Sequence, residues 1–378
     1  MSKEKILLVS CGGLGNGGVQ AVMMQTVRNL SRKFVFDALL FTDEKRYYDD
    51  SFLSYGGKII RIPHYVGNNR IRRKLDYYLR GVRLYYRIKK QIARNGPYKA
   101  IHCNNQFESA LCVKAAYECG VPVRIVHTHV ITSASNPLQA WLNSVYLKII
   151  KKYATALVGC SQEACDSMYG VGSASLVIPN PYDEIKFCPD REGLELPREF
   201  VLLQVGSFNN NKNQIFSIRV LAEIKKRYPD VKLNLIGFDT GRYQNEMETV
   251  ITELNVIDDV KILASDADVA KYLENAAAFI FPSRKEGFGI ALIEAQAMGV
   301  TCYTSDTLPS LSDRGGCVYL SLDIGPKAWA DRIIENYEAF RGQHKHYDCS
   351  KFASAQVMGI VDRLYSGTNY ESGSSEQN

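Results

Sequence analysis

Two glutamates, Glu286 and Glu294, bracket Gly287-Phe288-Gly289 and an apolar run that closes at Gly299. Glycines in a loop let a ligand approach the backbone closely. The residues that follow, Ile290, Ala291, Leu292, Ile293, Ala295, Ala297 and Met298, are apolar nearly all round. They predict a buried helix from about Gly289 to Met298, with Gly299 where a helix C-terminus favours glycine. The free N–H groups and positive end at its start would attract a phosphate. A carboxylate at Glu294, in the middle of such a helix, is costly without a partner or a ligand. Acids on both sides of a helix tip suit a ligand with hydroxyls at its ends and a diphosphate in its middle, which is the shape of a nucleotide sugar. The plainer alternative makes Glu286 a solvated loop acid and pairs Glu294 with a structural arginine.

A second group lies in Val205-Gly-Ser-Phe-Asn-Asn-Asn-Lys-Asn-Gln214. Gly206 permits a tight turn, and Lys212 comes just before a predicted helix. A cation there could stabilise a departing diphosphate; the alternative is a surface lysine in an Asn-rich turn. Near the N-terminus, Gly13, Gly15 and Gly18 have the spacing of a dinucleotide fingerprint, a weak signal alone. With Asp43 after the second strand, it keeps a nicotinamide-dependent oxidoreductase open. His127 and His129 follow a predicted strand at the carboxyl edge, where doubly wound sheets bind ligands. His-x-His could hold zinc, but no third ligand is evident nearby. His129 reads as structural or as support for its neighbour, and His102 as structural. Asp266-Ala-Asp268 has the form of a metal-binding acid pair but precedes a predicted helix, far from the glutamates in sequence.

These residues need elements to hold them. Short apolar runs without alternation are the mark of buried parallel strands. They occur at Ile6–Val9, Phe34–Leu40, Ala100–His102, Val123–Val126 and Ala156–Val158, with helical stretches between, the first being Val19–Leu30. Around Pro179 and Pro181 the texture breaks, since two closely spaced prolines continue neither a helix nor a central strand. The rhythm restarts with strands at Phe200–Val205, Val231–Ile236, Val260–Leu263 and Ala278–Phe281, and helices at Gln214–Tyr228 and Val269–Asn275. Strands alternating with helices predict two α/β units joined near residue 185. The expected division is 1–185, then 186–349, with a helix at about 350–366 packing back on the first unit and a disordered tail at 367–378.

The bulk properties agree with that plan. A chain of 378 residues has room for two cores. At 46% hydrophobic and 23% charged it is an ordinary globular composition, and a net charge of +6 is too mild to demand nucleic acid. Ten cysteines are scattered without any Cys-x-x-Cys, as buried thiols in a reducing compartment would be. No apolar run approaches the length of a signal peptide core or a membrane span. The expectation is a cytoplasmic protein.

The segment Glu286–Gly299 resembles the retaining GT-B glycosyltransferases of family 4, especially those that build bacterial surface polysaccharides. Their hallmark is two glutamates separated by seven residues in an E-G-F-G…E-A-x-A-x-G context. Val177–Phe187 is similar to the family's interdomain linker, with Pro181 where glycine is usual. Leu235-Ile-Gly237 resembles its strand end. The resemblance covers most of residues 5–310. It implies a GT-B fold, two Rossmann-like domains facing each other across a cleft, and no metal or other cofactor. It implies that Glu286 binds hydroxyls of the donor sugar, Glu294 the ribose hydroxyls, and the amides of Phe288 and Gly289 the phosphates, with Gly287 in the same donor-binding loop. Lys212 would match the family's catalytic lysine, with Gly206 at the turn. Ser207 departs from the pattern, which places an arginine there; Arg284 is a candidate to supply that charge. Gly17 and Gly18 would approach the donor diphosphate and the acceptor, and His127 the donor sugar.

The implied reaction moves a sugar with retention from a nucleotide-diphosphate donor, a UDP-sugar, to a hydroxyl of a glycan or lipid-linked acceptor. The stretch Arg70–Arg94 carries ten basic residues against one acid, Asp76, interleaved with tyrosines and leucines. That pattern suits an anionic membrane surface, and hence a peripheral protein at the inner face; a solvated helix is the alternative. No nucleic-acid motif is present. Besides the oxidoreductase, a non-catalytic GT-B partner of another transferase stays open because of Ser207.

Overall fold

The computed structural model describes residues 3–63, 70–188, 199–239, 241–341 and 343–367, with only the backbone of 70–80. The chain forms two compact units: one holds the described residues up to Pro181 and from Ser354 onward, the other Tyr182–Ala353.

The first unit runs β1 (Glu4–Ser10), α1 (Gly18–Leu30), β2 (Phe34–Leu40), α2 (Asp49–Leu53), β3 (Ile59–Arg61) and α3 (Arg70–Asn95). It continues with β4 (Ala100–Cys103), α4 (Ser109–Glu118), β5 (Val123–Thr128), α5 (Pro137–Tyr153), β6 (Ala156–Gly159), α6 (Gln162–Tyr169) and β7 (Leu176–Val177). The seven strands are parallel, in the order β3-β2-β1-β4-β5-β6-β7. Helices cover both faces, so the two sides of β1 enter different cores. Leu7 and Val9 pack with Leu84, Ile88 and Ile92 of α3. Ile6 and Leu8 pack with Met23, Met24 and Val27 of α1. Burying both faces removes the polar alternation of a half-exposed strand, which is why these strands read as continuous apolar runs.

The second unit runs β8 (Val201–Val205), α7 (Gln214–Lys225), β9 (Lys232–Gly237), α8 (Tyr243–Glu253), β10 (Val260–Ala264) and α9 (Val269–Glu274). Then come β11 (Ala278–Phe281), α10 (Ile290–Ala297), β12 (Cys302–Ser305), β13 (Cys317–Leu320) and α11 (Gly325–Phe340). Its parallel sheet has the order β10-β9-β8-β11-β12-β13. In both sheets the winding reverses after the third strand, so that the fourth pairs with the other side of the first, as in a Rossmann-like doubly wound fold.

The last helix, α12 (Ser354–Ser366), belongs to the first unit. It packs along α1 and buries Val357, Met358, Val361, Leu364 and Tyr365 in the core beneath Ile6 and Leu8. The tail beyond Gly367 lies outside the described residues.

Several predicted boundaries shift. α7 stops at Lys225 because the chain tightens there, Lys226 N–H donating to Glu223 and Arg227 N–H to Ile224. The expected start of α10 at Gly289 is a left-handed cap at φ 86°, and the helix proper begins at Ile290. The elements α2, β3, β7, α8, β12, β13 and α11 were not anticipated.

Candidate functional site

In the second unit the sheet reverses between β8 and β11, so the loops after these two strands flank the switch point where ligands bind in open α/β sheets. The loop after β8 is shaped by its own side chains. Asn209 Oδ1 accepts from the N–H of Asn211 and of Lys212, both at 3.0 Å. Gln204 Nε2 donates to the Lys212 carbonyl at 2.7 Å. A Cβ at Gly206 would lie 3.3 Å from the Lys212 side chain, so glycine makes room for that stem. The loop after β11 is tied to it: Arg284 N–H donates to the Asn211 carbonyl, and Asn211 Nδ2 to the Lys285 carbonyl, each at 2.8 Å.

This lacing brings Lys212 to Glu286. The ammonium Nζ donates to Oε1 at 2.5 Å and lies 4.7 Å from the Phe281 ring centroid. The side chains are 19% and 13% exposed, so most of the pair is out of water. Glu286 is therefore no solvated loop acid, and Lys212 no free surface lysine. Gly287, Phe288 and Gly289 are buried just before α10, with Phe288 edge-on to Phe352 at 5.4 Å. No acidic residue occupies the first turn of α10 and no side chain caps it, so its N-terminal amides keep their affinity for an anion.

Glu294 sits on that helix, half-buried, and its carboxyl makes no hydrogen bond to any described residue. Among the described residues, no arginine pairs with it. Removal from water pushes its carboxyl up to about 8; Lys186 opposes this and Asp183 adds to it. Lys186 also lies 3.7 Å from Asp268, so Asp268, far away in sequence, is drawn to the same neighbourhood. Ser207 Oγ accepts from Asn209 Nδ2 at 2.9 Å. Arg284 is exposed, and its Nε donates to the Asn210 carbonyl at 3.2 Å.

In the first unit Gly17 caps α1 and Gly18 opens it, again without an acid in the first turn or a side-chain cap. His127 and His129 lie at the carboxyl end of β5 and just beyond, fully buried, their rings 4.0 Å apart. His102, read from the sequence as merely structural, joins them from the adjacent strand β4. Its Nε2 lies 3.1 Å from His127 Nδ1, and its Nδ1 lies 2.8 Å from the hydroxyl of Tyr365 on α12. His129 stands 2.8 Å from Asn180 Oδ1 and 3.0 Å from Asn104 Oδ1. A neutral ring has a single N–H, so one of these amides turns its nitrogen to the ring.

Burial holds all three imidazoles neutral. It lowers His102 to about 3 and His129 to about 4, and takes His127 well below its ordinary value. His127 Nε2 is buried without a hydrogen bond. Tyr365, Asn104 and Asn180 left no signal in the sequence. His102 did, by ending a strand that pairs with β5. Among the described residues, no group of three or more His, Cys, Asp or Glu is arranged to hold a metal ion.

The second unit can thus offer a buried cation, a carboxylate that the cation can release, an anion-seeking helix tip and an unpaired carboxyl one turn on. Residues 189–313, which include both loops and α10, match the model for glycosyl transferases group 1. These residues carry a group 1 glycosyltransferase domain, and the chain is a transferase. The transferase is 27% identical over 357 residues to EpsF of Bacillus subtilis (strain 168), covering 90% of each chain. It is 22% identical over 326 residues to the capsular polysaccharide biosynthesis glycosyltransferase CapH of Staphylococcus aureus, covering 85% of this chain and 87% of that one. Its fold matches the crystal structure of Anabaena HepE in complex with UDP and glucose, with a TM-score of 0.77 at 17% identity, over 96% and 99% of the two chains. Being a transferase, it leaves the hydride-transfer and non-catalytic readings behind.

Among the described residues, no helix of the transferase is long and apolar enough to cross a membrane. The basic stretch Arg70–Arg94 is the helix α3. Its side chains up to Arg80 lie outside the described residues, while beyond them Val82 and Tyr86 are 59% and 64% exposed.

Proposed function

We propose that the protein transfers a sugar from a UDP-sugar, with retention and without a metal, to a hydroxyl of a surface glycan carried on a lipid. The observation that carries this reading is the Lys212–Glu286 pair at the switch point, with the Glu294 carboxyl on the next helix free of hydrogen bonds among the described residues. Glu294 would accept hydrogen bonds from the ribose hydroxyls, a stronger class of bond for a carboxylate than for a neutral acceptor. The amides of Gly287, Phe288 and Gly289 would receive the diphosphate. As phosphate enters, Lys212 would turn from Glu286 to it, leaving Glu286 to accept from the sugar hydroxyls. Gly206 and Ser207 would line the same loop, and Gly17 and Gly18 would offer the first amides of α1.

In the chemical step the bond from the anomeric carbon to the phosphate oxygen breaks, and the acceptor oxygen bonds to that carbon from the same face. The departing phosphate oxygen takes the acceptor's proton. Lys212 and the amides stabilise the negative charge that develops there, a contribution of the kind that removing one such donor shows to be worth about 10²–10³ in rate. His127 offers its free ring nitrogen to a sugar hydroxyl.

The polysaccharide setting is supported by the name of CapH, and the UDP donor by the ligands of HepE. Membrane docking at the cytoplasmic face is supported by the charge of α3 and by a neighbouring apolar patch. Gly81 of α3 lies beside Tyr146 of α5, and α5 exposes Leu138, Trp141 and Leu142. Every cysteine is a free thiol, as a reducing compartment requires.

Thermal shift against UDP, GDP and ADP, followed by transfer assays with UDP-sugars in EDTA, tests the reading. UDP should raise the melting temperature most, and product NMR should show the donor's anomeric configuration kept. Stabilisation by another nucleotide alone, loss of transfer in EDTA, or an inverted product would each overturn the corresponding part.

A further inference from the structure

We propose that Tyr365 and His102 are positioning residues that fix the tautomer of His127, so that its Nε2 carries a proton and is offered as a hydrogen-bond donor. The argument is a count of protons along one buried chain. Tyr365, His102 and His127 are all at most 4% exposed. The Tyr365 hydroxyl lies 2.8 Å from His102 Nδ1, and His102 Nε2 lies 3.1 Å from His127 Nδ1. Among the described residues the hydroxyl has no second partner.

Two arrangements fit these distances. In the first, Tyr365 donates to His102 Nδ1, His102 donates through Nε2–H to His127 Nδ1, and His127 carries its proton on Nε2. Only that last N–H is left without a hydrogen bond. In the second, every donor is reversed: the phenol proton is orphaned inside the core, and His127 Nε2 is left as a bare lone pair. A buried polar group without a partner costs about 1–3 kcal/mol, so the arrangement with one orphan prevails over the one with two.

The chain therefore sets a direction. A hydroxyl on the last helix, α12, determines that a ring nitrogen at the end of β5 donates rather than accepts. Neutrality of all three rings is a condition for this, because a protonated imidazole would donate from both nitrogens. A donor at Nε2 can bind a hydroxyl oxygen or a developing negative charge, whereas a lone pair there could only accept from a hydroxyl and would repel the charge. That use of the donor rests on the reading that His127 meets the transferred sugar; the tautomer itself does not.

The experiment uses the full chain labelled with ¹⁵N-histidine, in wild-type form and as Tyr365→Phe, His102→Gln and His102→Leu. Long-range ¹H–¹⁵N spectra distinguish a pyrrole-like from a pyridine-like ring nitrogen. Wild type should show His127 with a pyrrole-like Nε2 and a pyridine-like Nδ1. Tyr365→Phe should mix the two forms. His102→Gln should keep the wild-type pattern, since a glutamine amide can accept from Tyr365 and donate to His127, while His102→Leu should lose it. Transfer rates should follow the same order, with kcat down about tenfold in Tyr365→Phe and the donor KM little changed. His127 protonated on Nδ1 in wild type, or an unchanged pattern in Tyr365→Phe, overturns the proposal. If the tautomer responds and kcat does not, the relay stands and the contact of His127 with the sugar falls.

Discussion

The ammonium of Lys212 stands 2.5 Å from the carboxylate of Glu286, although 74 residues separate them in the chain. They meet because β8 and β11 are neighbours in the sheet, and the loops that follow them are laced through Asn211. The pair keeps each charge satisfied while most of it is shielded from water. It also puts a cation where it can exchange one anionic partner for another.

Replacing Lys212 by alanine should lower kcat about 10²–10³-fold, because the charge that develops on the leaving phosphate loses its cation. Glu286→Gln should lower kcat less and leave UDP affinity close to wild type, since in the proposed reading it meets the sugar and not the nucleotide. Steady-state kinetics with a UDP-sugar, beside calorimetry with UDP alone, separate the two. Full transfer rates in both variants would remove these residues from the site.

Glu294 makes the transferase sensitive to pH. Its carboxyl titrates near 8 in the folded chain against an ordinary 4.5, so the native state holds its proton more tightly than the unfolded one. Stability falls as pH rises from about 4.5 to about 8 and changes no further above that window. Glu294→Gln should therefore melt like wild type at pH 4 and progressively higher than wild type towards pH 8, in the absence of nucleotide. The same variant should bind UDP more weakly.

Binding of UDP should release protons at pH 7, because ribose hydroxyls donating to Glu294 favour its charged form. Calorimetry in buffers of different ionisation enthalpy measures this directly. Zero release, or a release that persists in Glu294→Gln, would show that the nucleotide does not reach this carboxyl.

Gly237 ends β9 with no room above it: a Cβ there would lie 2.1 Å from the Gly206 carbonyl and 2.7 Å from the Phe208 ring. Gly237→Ala should push the β8 loop out of place, lowering the melting temperature and weakening UDP binding together. A variant as stable and as tight-binding as wild type would mean the backbone relaxes freely here.

Much of this was legible beforehand. The glycine-acid segment announced a loop leading into a buried helix, and β1, β2 and β11 announced themselves as runs buried on both faces. β12 and β13 did not: Cys302-Tyr-Thr-Ser305 and Cys317-Val-Tyr-Leu320 are four residues each, mixed in polarity, and owe their strand form to neighbours rather than to propensity. The Lys212–Glu286 pair and the His102–His127 contact were hidden for a related reason. Local pattern places a residue on an element, but which elements become neighbours is decided by how the sheet is wound. Glu294 was the opposite case, since its cost in an apolar helix was readable, while the choice between a protein partner and a ligand was not.

The helix α12 fills the core of the first unit from the far end of the chain. A ribosome making this protein must therefore complete the whole second unit before the first can close. Until then Ile6, Leu8 and the inner face of α1 lack their cover and depend on chaperones or on speed. Clipping a dozen residues before Gly367 would strike the N-terminal unit and spare the one next to the cut.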